Sequence, residues 1–183
     1  MAVRRIILFA SGTLLVLAVC AAVIFGAVKD SDPEKETFTL WQLPSVADDH
    51  GNSYVIRTPH GRVVAIDGGK GAETDYLRGF LAALGDEVDV WIVTHPHYDH
   101  VEAMTNLLRR PMDLRVHEVR ESRFTPGMIA SEPEYSRWAE EYYAALDAAQ
   151  GVKVTECHTG DEFTVDGVHF KILSEINPEI GVN

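Results

Sequence analysis

The stretch VDVWIVTHPHYDH (residues 88–100) decides how this chain folds and where its chemistry lies. Its first six residues form an apolar run that is typical of a strand covered on both faces of a sheet. Three histidines and an aspartate follow within six positions, namely His95, His97, Asp99 and His100. Because loops at the carboxyl ends of rigid strands often carry functional side chains, this cluster predicts a functional site.

The spacing of these four residues predicts a site for two divalent metal ions. In an extended backbone His95 and His97 point to the same side, so their imidazoles can converge on one ion. Asp99 and His100 fall where the chain turns into a helix, and they can bind a second ion about 3.5–4 Å away. Such ligands suit Zn²⁺, Fe²⁺ and Mn²⁺, and an ion pair of this kind holds a hydroxide as nucleophile. The alternative is a surface loop in which Asp99 acts as a helix N-cap.

Strands and helices alternate on either side of this cluster. Apolar periodicity and turn residues predict strands at residues 38–43, 53–58, 62–66, 88–93 and 114–119. Helices are predicted from Glu73 or Thr74 to Gly85, from the histidine cluster to Pro111, and from Ser131 to Gly151. A hairpin over residues 162–165 and 168–173, with Asp166-Gly167 as its turn, closes the chain. This order predicts a layered α/β or α+β domain.

The composition excludes several classes of protein. Of the 183 residues, 46% are hydrophobic and 24% are charged, so the chain is globular rather than disordered. The 16 basic and 28 acidic side chains give a net charge of −12, which is unsuited to neutralising phosphates. We therefore predict no nucleic-acid partner. Two cysteines, Cys20 and Cys157, exclude a disulfide-stapled fold and a CxxC zinc site.

The first 28 residues predict a membrane anchor. Residues 6–28 carry no charge, and a helix needs about 20 residues to cross the core of a bilayer. Arg4 and Arg5 precede this run, so the rest of the chain is expected outside the cytoplasm on a single-pass helix in the cell membrane. A cleaved signal peptide, which would yield a secreted protein, and a lipoprotein signal at Cys20 are alternatives. Residues 29–37 then predict a linker, and residues 38–183 the folded domain.

The chain resembles the metallo-β-lactamase-fold hydrolases, whose hallmark HxHxDH follows a buried strand. The stretch GNSYVIRTPHGRVVAIDGG (residues 51–69) is similar to the opening strands of that family, which end in an aspartate-glycine turn beside the metal site. Residues 38–183 look like the membrane-anchored or secreted hydrolases related to the extracellular hydrolase domain of bacterial DNA-uptake channels. The resemblance implies two metal ions, with zinc foremost, and hydrolysis of a small-molecule, ester, amide or phosphodiester substrate.

The resemblance also implies a role for individual residues. His95 and His97 would bind the first metal ion, and Asp99 and His100 the second. Asp99 would in addition act in catalysis, by steering the nucleophilic water or the proton of the leaving group. Asp67 would not bind a metal itself, but it would orient the loop that does.

The chain also departs from the family pattern. The family fold is an αββα sandwich of two ββα halves, and this chain matches only the first half, preceded by the transmembrane helix. Thr159-Gly160-Asp161 looks like the bridging motif of the second half, although we favour a turn before the final hairpin. An apolar sheet face left uncovered by that half predicts self-association. The alternative to an enzyme is thus a truncated, non-catalytic fragment, or a module that binds or senses a metal.

The remaining aromatic, cysteine and histidine residues are expected at ordinary positions in the core or on the surface. The tryptophans Trp41, Trp91 and Trp138 are expected in the core or on helix faces, and Cys157 as a buried thiol. Surface positions are expected for His60, His117, His158 and His169. His50 and Asn52 belong either to the border of the site or to an ordinary loop, and the sequence leaves both interpretations open.

Overall fold

The computed structural model describes residues 37–46, 50–131 and 133–176 of the chain. The predicted anchor at residues 1–28 lies outside these residues, as does the predicted linker apart from Thr37. Within the described ranges, no helix combines the length and the apolar character that a membrane crossing requires.

A six-stranded sheet forms the centre of the folded part. Its strands follow one another across the sheet in chain order: β1 (Thr39–Gln42), β2 (Tyr54–Arg57), β3 (Val63–Ile66), β4 (Glu87–Val93), β5 (Arg115–Glu121) and β6 (Lys153–Glu156). The first three strands are antiparallel neighbours, whereas β3, β4, β5 and β6 run parallel to one another. The carboxyl ends of these four parallel strands therefore meet at one edge of the sheet.

Four helices connect or flank the parallel strands: α1 (Thr74–Ala83), α2 (Tyr98–Arg109), α3 (Pro126–Ser131) and α4 (Pro133–Ala148). A 3₁₀ turn (Gly71–Glu73) precedes α1. As predicted, Glu73 is the N-cap of α1, and Gly85 follows its C-cap with a φ of +109°, which glycine adopts without strain. The mixed sheet with its helices confirms the predicted α/β class.

One face of the sheet and the helices enclose the main hydrophobic core. From β4, the side chains of Trp91 and Val93 belong to this core. The helices contribute Leu77, Leu81, Val101, Met104, Tyr142 and Leu146 to it. Each buried apolar side chain stabilises the fold by about 1.5–3 kcal/mol, so this packing fixes α2 at the end of β4.

The opposite face of the sheet is contacted by a hairpin of two strands, β7 (Glu162–Val165) and β8 (Val168–Lys171). The apolar side chains of the hairpin share a cluster with those of the sheet: Phe163, Val165 and Phe170 with Ile56, Val64 and Val90. In the turn, Asp166 Oδ2 accepts hydrogen bonds from Thr58 Oγ1 (2.5 Å) and from the backbone N–H of His60 (2.9 Å). These bonds tie the tip of the hairpin to the loop between β2 and β3.

The hairpin changes the expectation of an uncovered apolar sheet face. It buries Ile56, Val64 and Val90, while Ile66 and Ile92 at the carboxyl end of the strands are only partly buried. The face is thus covered in part by the chain itself. Self-association through the remainder stays a prediction.

Candidate metal centre

The turn Asp67-Gly68-Gly69 lies at the end of β3, against the first turns of α2. Gly68 donates its N–H to the carbonyl of His100 (2.6 Å), and a Cβ added at Gly68 would lie 3.0 Å from the backbone nitrogen of Met104. Gly69 has a φ of +82° and Asp67 a φ of +55°, so the chain reverses sharply here. The close approach of turn and helix, in which a side chain at position 68 would crowd the backbone of Met104, brings Asp67 beside the histidine cluster.

The buried carboxylate of Asp67 organises the loop that follows β4. It accepts hydrogen bonds from the N–H (2.9 Å) and the hydroxyl (2.8 Å) of Thr94, and its Oδ2 lies 2.8 Å from Nδ1 of His100. The backbone carbonyl of Asp67 accepts a further bond from Nε1 of Trp91 (2.9 Å). Because an ionised carboxylate can only accept, this contact requires a proton on Nδ1 of His100, and the neutral form of that imidazole then has its lone pair on Nε2. This is the arrangement in which a histidine binds a metal through Nε2.

The four residues predicted from the sequence lie together at the carboxyl end of β4. The ring centroid of His95 lies 3.9 Å from that of His100 and 4.6 Å from that of His97. Nε2 of His100 is 3.5 Å from Oδ2 of Asp99. The N-cap position of α2 is taken by His97, whose backbone is extended (φ −79°, ψ 155°), and Asp99 lies in the first turn. The alternative role of Asp99 as N-cap is therefore wrong.

The imidazole of His95 is in an environment that disfavours its charged form. Burial, and then the neighbouring imidazoles of His100 and His97, lower its pKa from 6.5 to about 4, against the opposing effect of Asp67 and Asp99. His95 is thus neutral at pH 7, and a ring nitrogen retains the lone pair that a metal requires. A donor set of three imidazoles and one carboxylate fits a divalent transition-metal ion.

The four donor side chains lie close together, but they do not form a complete coordination site. Within residues 37–46, 50–131 and 133–176, no group of three or more His, Cys, Asp and Glu side chains is arranged to hold a metal ion as it stands. The fit of a metal to this site therefore rests on the chemistry of the donors and on the orientation of His100 by Asp67.

Two residues from the loop before β2 border the cluster. Nε2 of His50 lies 3.4 Å from Oδ2 of Asp99, and Nδ2 of Asn52 lies 3.2 Å from Nε2 of His100. The backbone N–H of Asn52 also donates to the carbonyl of Asp99 (3.0 Å). Of the two interpretations left open by the sequence, the structure favours the border of the site for both residues.

Thr94 is a contributor that the sequence reasoning missed. Its hydroxyl lies between Asp67, His100 (3.1 Å from Nδ1) and His95 (3.2 Å from Nδ1). The available signal was its position, because a hydroxyl residue ends an otherwise apolar strand directly before the first histidine.

The other residues weighed from the sequence lie in ordinary positions. Asp161 accepts a hydrogen bond from the backbone N–H of His158 (2.9 Å) in the turn before β7, as favoured above. Cys157 is buried as predicted, and burial raises the pKa of its thiol. His60, His117, His158 and His169 are all exposed, with half or more of each side chain accessible.

The family model of the metallo-beta-lactamase superfamily matches residues 46–169, and the chain belongs to this superfamily. Members of the superfamily are in general metal-dependent hydrolases. No curated protein matches the chain.

Solved structures that are similar to the chain are longer than it is. A metallo-beta-lactamase with a HARLDQ motif from Cronobacter sakazakii is 23% identical (TM-score 0.44), over 71% of this chain and 47% of that one. A mutant flavo di-iron protein from Thermotoga maritima is 26% identical (TM-score 0.44), over 66% and 26%. The subclass B3 metallo-beta-lactamase BJP-1 of Bradyrhizobium japonicum is 20% identical (TM-score 0.46), over 72% and 50%. The chain thus spans about a quarter to a half of the length of these proteins.

Proposed function

We propose that this protein is an extracytoplasmic, membrane-anchored hydrolase that depends on divalent metal ions. Zinc is the foremost candidate, with manganese and iron as alternatives. The observation that carries the proposal is the gathering of His95, His97, Asp99 and His100 at the end of β4, with Asp67 fixing the proton of His100 on Nδ1. Membership of a superfamily of metal-dependent hydrolases supports it.

The residues of the proposed site have different roles in metal binding and in catalysis. His95 and His97 would hold one ion, and Asp99 and His100 the other. When bound, the metal would act as a Lewis acid that activates water and polarises the oxygen of a substrate. Asp67 holds His100 in the required tautomer. Asp99 accepts the proton of the attacking water on Oδ2 and returns it to the leaving group, which balances the hydrolysis of an ester, amide or phosphodiester.

The location and the lineage within the superfamily rest on the sequence. The uncharged residues 6–28 support a membrane anchor with the domain outside the cytoplasm, or a secreted protein if they are cleaved. The HxHxDH cluster and residues 51–69 support a relation to the hydrolase domain of DNA-uptake channels. The net charge of −12 favours a small-molecule substrate over nucleic acid.

A second candidate function is a module that binds or senses a metal without turnover. It is supported by the same cluster, because the imidazoles of His95, His97 and His100 can bind an ion without taking part in turnover. Such a module needs the donors of the cluster, but it does not need Asp99 as a proton carrier.

Metal analysis and hydrolysis assays on the purified full chain test the proposal. We expect about two equivalents of bound zinc, as in two-metal hydrolases, and turnover of a chromogenic ester or phosphodiester. Removal of the metal with a chelator should abolish turnover, and added zinc should restore it. Stoichiometric metal without turnover would support the second candidate instead, whereas less than one equivalent of metal without turnover would indicate a truncated, non-catalytic fragment.

Substitution of Asp67 by asparagine should weaken metal binding by about 10- to 100-fold, because partners that orient metal-binding histidines have effects of this size. An amide no longer forces the proton of His100 onto Nδ1. The measurement is a zinc titration against a competing chelator. Asp89→Asn is the matched control, since Asp89 is a carboxylate of β4 that binds Arg62 and the backbone of Val63 instead. Equal zinc affinity in Asp67→Asn and the unmodified protein would contradict the orienting role.

A further inference from the structure

Two aromatic rings and two basic side chains form a continuous strip beside the metal centre. The ring centroids of Tyr98 and Trp138 are 5.1 Å apart, with 42° between the ring planes. Nζ of Lys70 lies 4.8 Å from the centroid of Tyr98, and Cζ of Arg137 lies 4.7 Å from that of Trp138. We refer to these four residues as the aromatic–basic strip.

The strip is connected to the predicted catalytic aspartate. Tyr98 directly precedes Asp99 at the start of α2. The hydroxyl of Tyr98 lies 3.4 Å from Nε2 of His50, and the same nitrogen lies 3.4 Å from Oδ2 of Asp99. The strip is thus within reach of a molecule whose reactive bond lies at Asp99.

The strip carries two basic side chains, and none of its four residues is fully buried. Tyr98, Trp138 and Lys70 are partly buried, and Arg137 is exposed. Arg137 also lies 3.7 Å from Glu141, a surface contact of the kind that contributes little and is easily exchanged. Two cations at this position oppose the charge of the acidic side chains that surround the metal centre, such as Asp67 and Asp99.

We infer that the aromatic–basic strip recognises the substrate, and that this substrate carries an anionic group next to an aromatic ring. The ring packs against Tyr98 and Trp138, as aromatic ligands do on exposed aromatic side chains. The anionic group pairs with Lys70 or Arg137, in charge-assisted hydrogen bonds. The inference rests on the proposed function, because it defines the substrate class of that same site.

Binding of small probes to the metal-free full chain tests the inference without turnover. Equilibrium dialysis compares phenyl phosphate with cyclohexyl phosphate, which lacks the aromatic ring, and with benzyl alcohol, which lacks the charge. We expect phenyl phosphate to bind about tenfold more tightly than either, since ring stacking and charge pairing each contribute. Trp138→Ala and Lys70→Ala should each weaken phenyl phosphate about three- to tenfold.

Conservative and distant variants separate recognition from folding. Trp138→Phe keeps a ring and Lys70→Arg keeps a charge, so both should retain most of the affinity. Tyr76→Ala and Lys153→Ala remove an exposed aromatic and an exposed basic side chain elsewhere, and they should bind phenyl phosphate as the unmodified protein does. If Trp138→Ala does not fold, the contribution of the charge is tested alone through Lys70→Ala.

Two results would overturn the inference. One is equal affinity for phenyl phosphate and cyclohexyl phosphate, and the other is unchanged affinity in the Lys70→Ala and Trp138→Ala proteins. Because the dialysis uses metal-free protein, either result leaves the proposed hydrolase intact if zinc binding and turnover are observed. Conversely, a protein that binds phenyl phosphate through the strip but takes up no zinc would contradict the proposed hydrolase. The strip would then be a binding surface only.

Discussion

Replacement of His97 by alanine is expected to lower the affinity for zinc by at least about 100-fold, since even residues that only orient a ligand contribute 10- to 100-fold. Turnover should fall with metal content. The ring centroid of His97 lies 4.6 Å from that of His95 and 5.8 Å from that of Phe124.

His117→Ala is the matched control for this substitution. His117 is an exposed imidazole, and its Nε2 lies 2.6 Å from Oε1 of Glu87 at the start of β4, the end of the strand opposite the cluster. The zinc content and turnover of His117→Ala should equal those of the unmodified protein. Unchanged zinc content in His97→Ala would contradict a metal centre at this cluster.

Replacement of Trp91 by alanine is expected to lower the free energy of unfolding by about 3–5 kcal/mol, as for other fully buried aromatic residues. Trp91 has no exposed surface, and its indole N–H donates to the carbonyl of Asp67 (2.9 Å). The substitution therefore leaves a cavity in the main core and an unpaired carbonyl below the metal centre. Urea denaturation followed by circular dichroism measures the change.

Trp91→Phe separates the two contributions. Phenylalanine fills most of the cavity and cannot donate, so the loss should be smaller, and it should include about 1–3 kcal/mol for the unpaired carbonyl. Zinc affinity should fall in both variants, because the main chain of Asp67 keeps only the bond from its N–H to the carbonyl of Ile92 (2.9 Å) and loses the one from Trp91. A loss below about 1 kcal/mol in Trp91→Ala would be incompatible with a fully buried side chain.

The local features of the fold could be predicted from the sequence. The apolar run before the histidines is β4, and Gly85 ends α1 as its position after the helical periodicity indicated. The closing hairpin was predicted from Asp166-Gly167, both of which have a positive φ. These features depend on residues that are close in the chain.

Two elements were missed because their stability comes from tertiary contacts. In β6 (Lys153–Glu156) most residues are polar or exposed, and Val154 is 43% exposed at the edge of the sheet, so no apolar pattern indicated a strand. The six-residue helix α3 is stabilised by the packing of Met128 with Phe124 and Ala139. The partial cover of the sheet by the hairpin was missed for the same reason.

The candidate site was predictable to the extent that it is contiguous in the sequence. His95, His97, Asp99 and His100 occupy six positions, and they lie together in the structure, while their binding of metal stays a prediction. Asn52 is 48 residues from His100, and Thr94 acts through Asp67, which is 27 residues earlier. Such contacts follow from the pairing of β3 with β4, which residue spacing alone does not specify.

The two anchors of Asp67 have a consequence for how the protein matures. Its main chain is held by a tryptophan of β4, and its side chain orients His100. Both contacts exist only once β3 and β4 are aligned, so a nascent chain offers its histidines in random tautomers and orientations. Binding of the proposed metal ion would therefore follow the pairing of β3 with β4, and it would stabilise the folded protein rather than nucleate its folding.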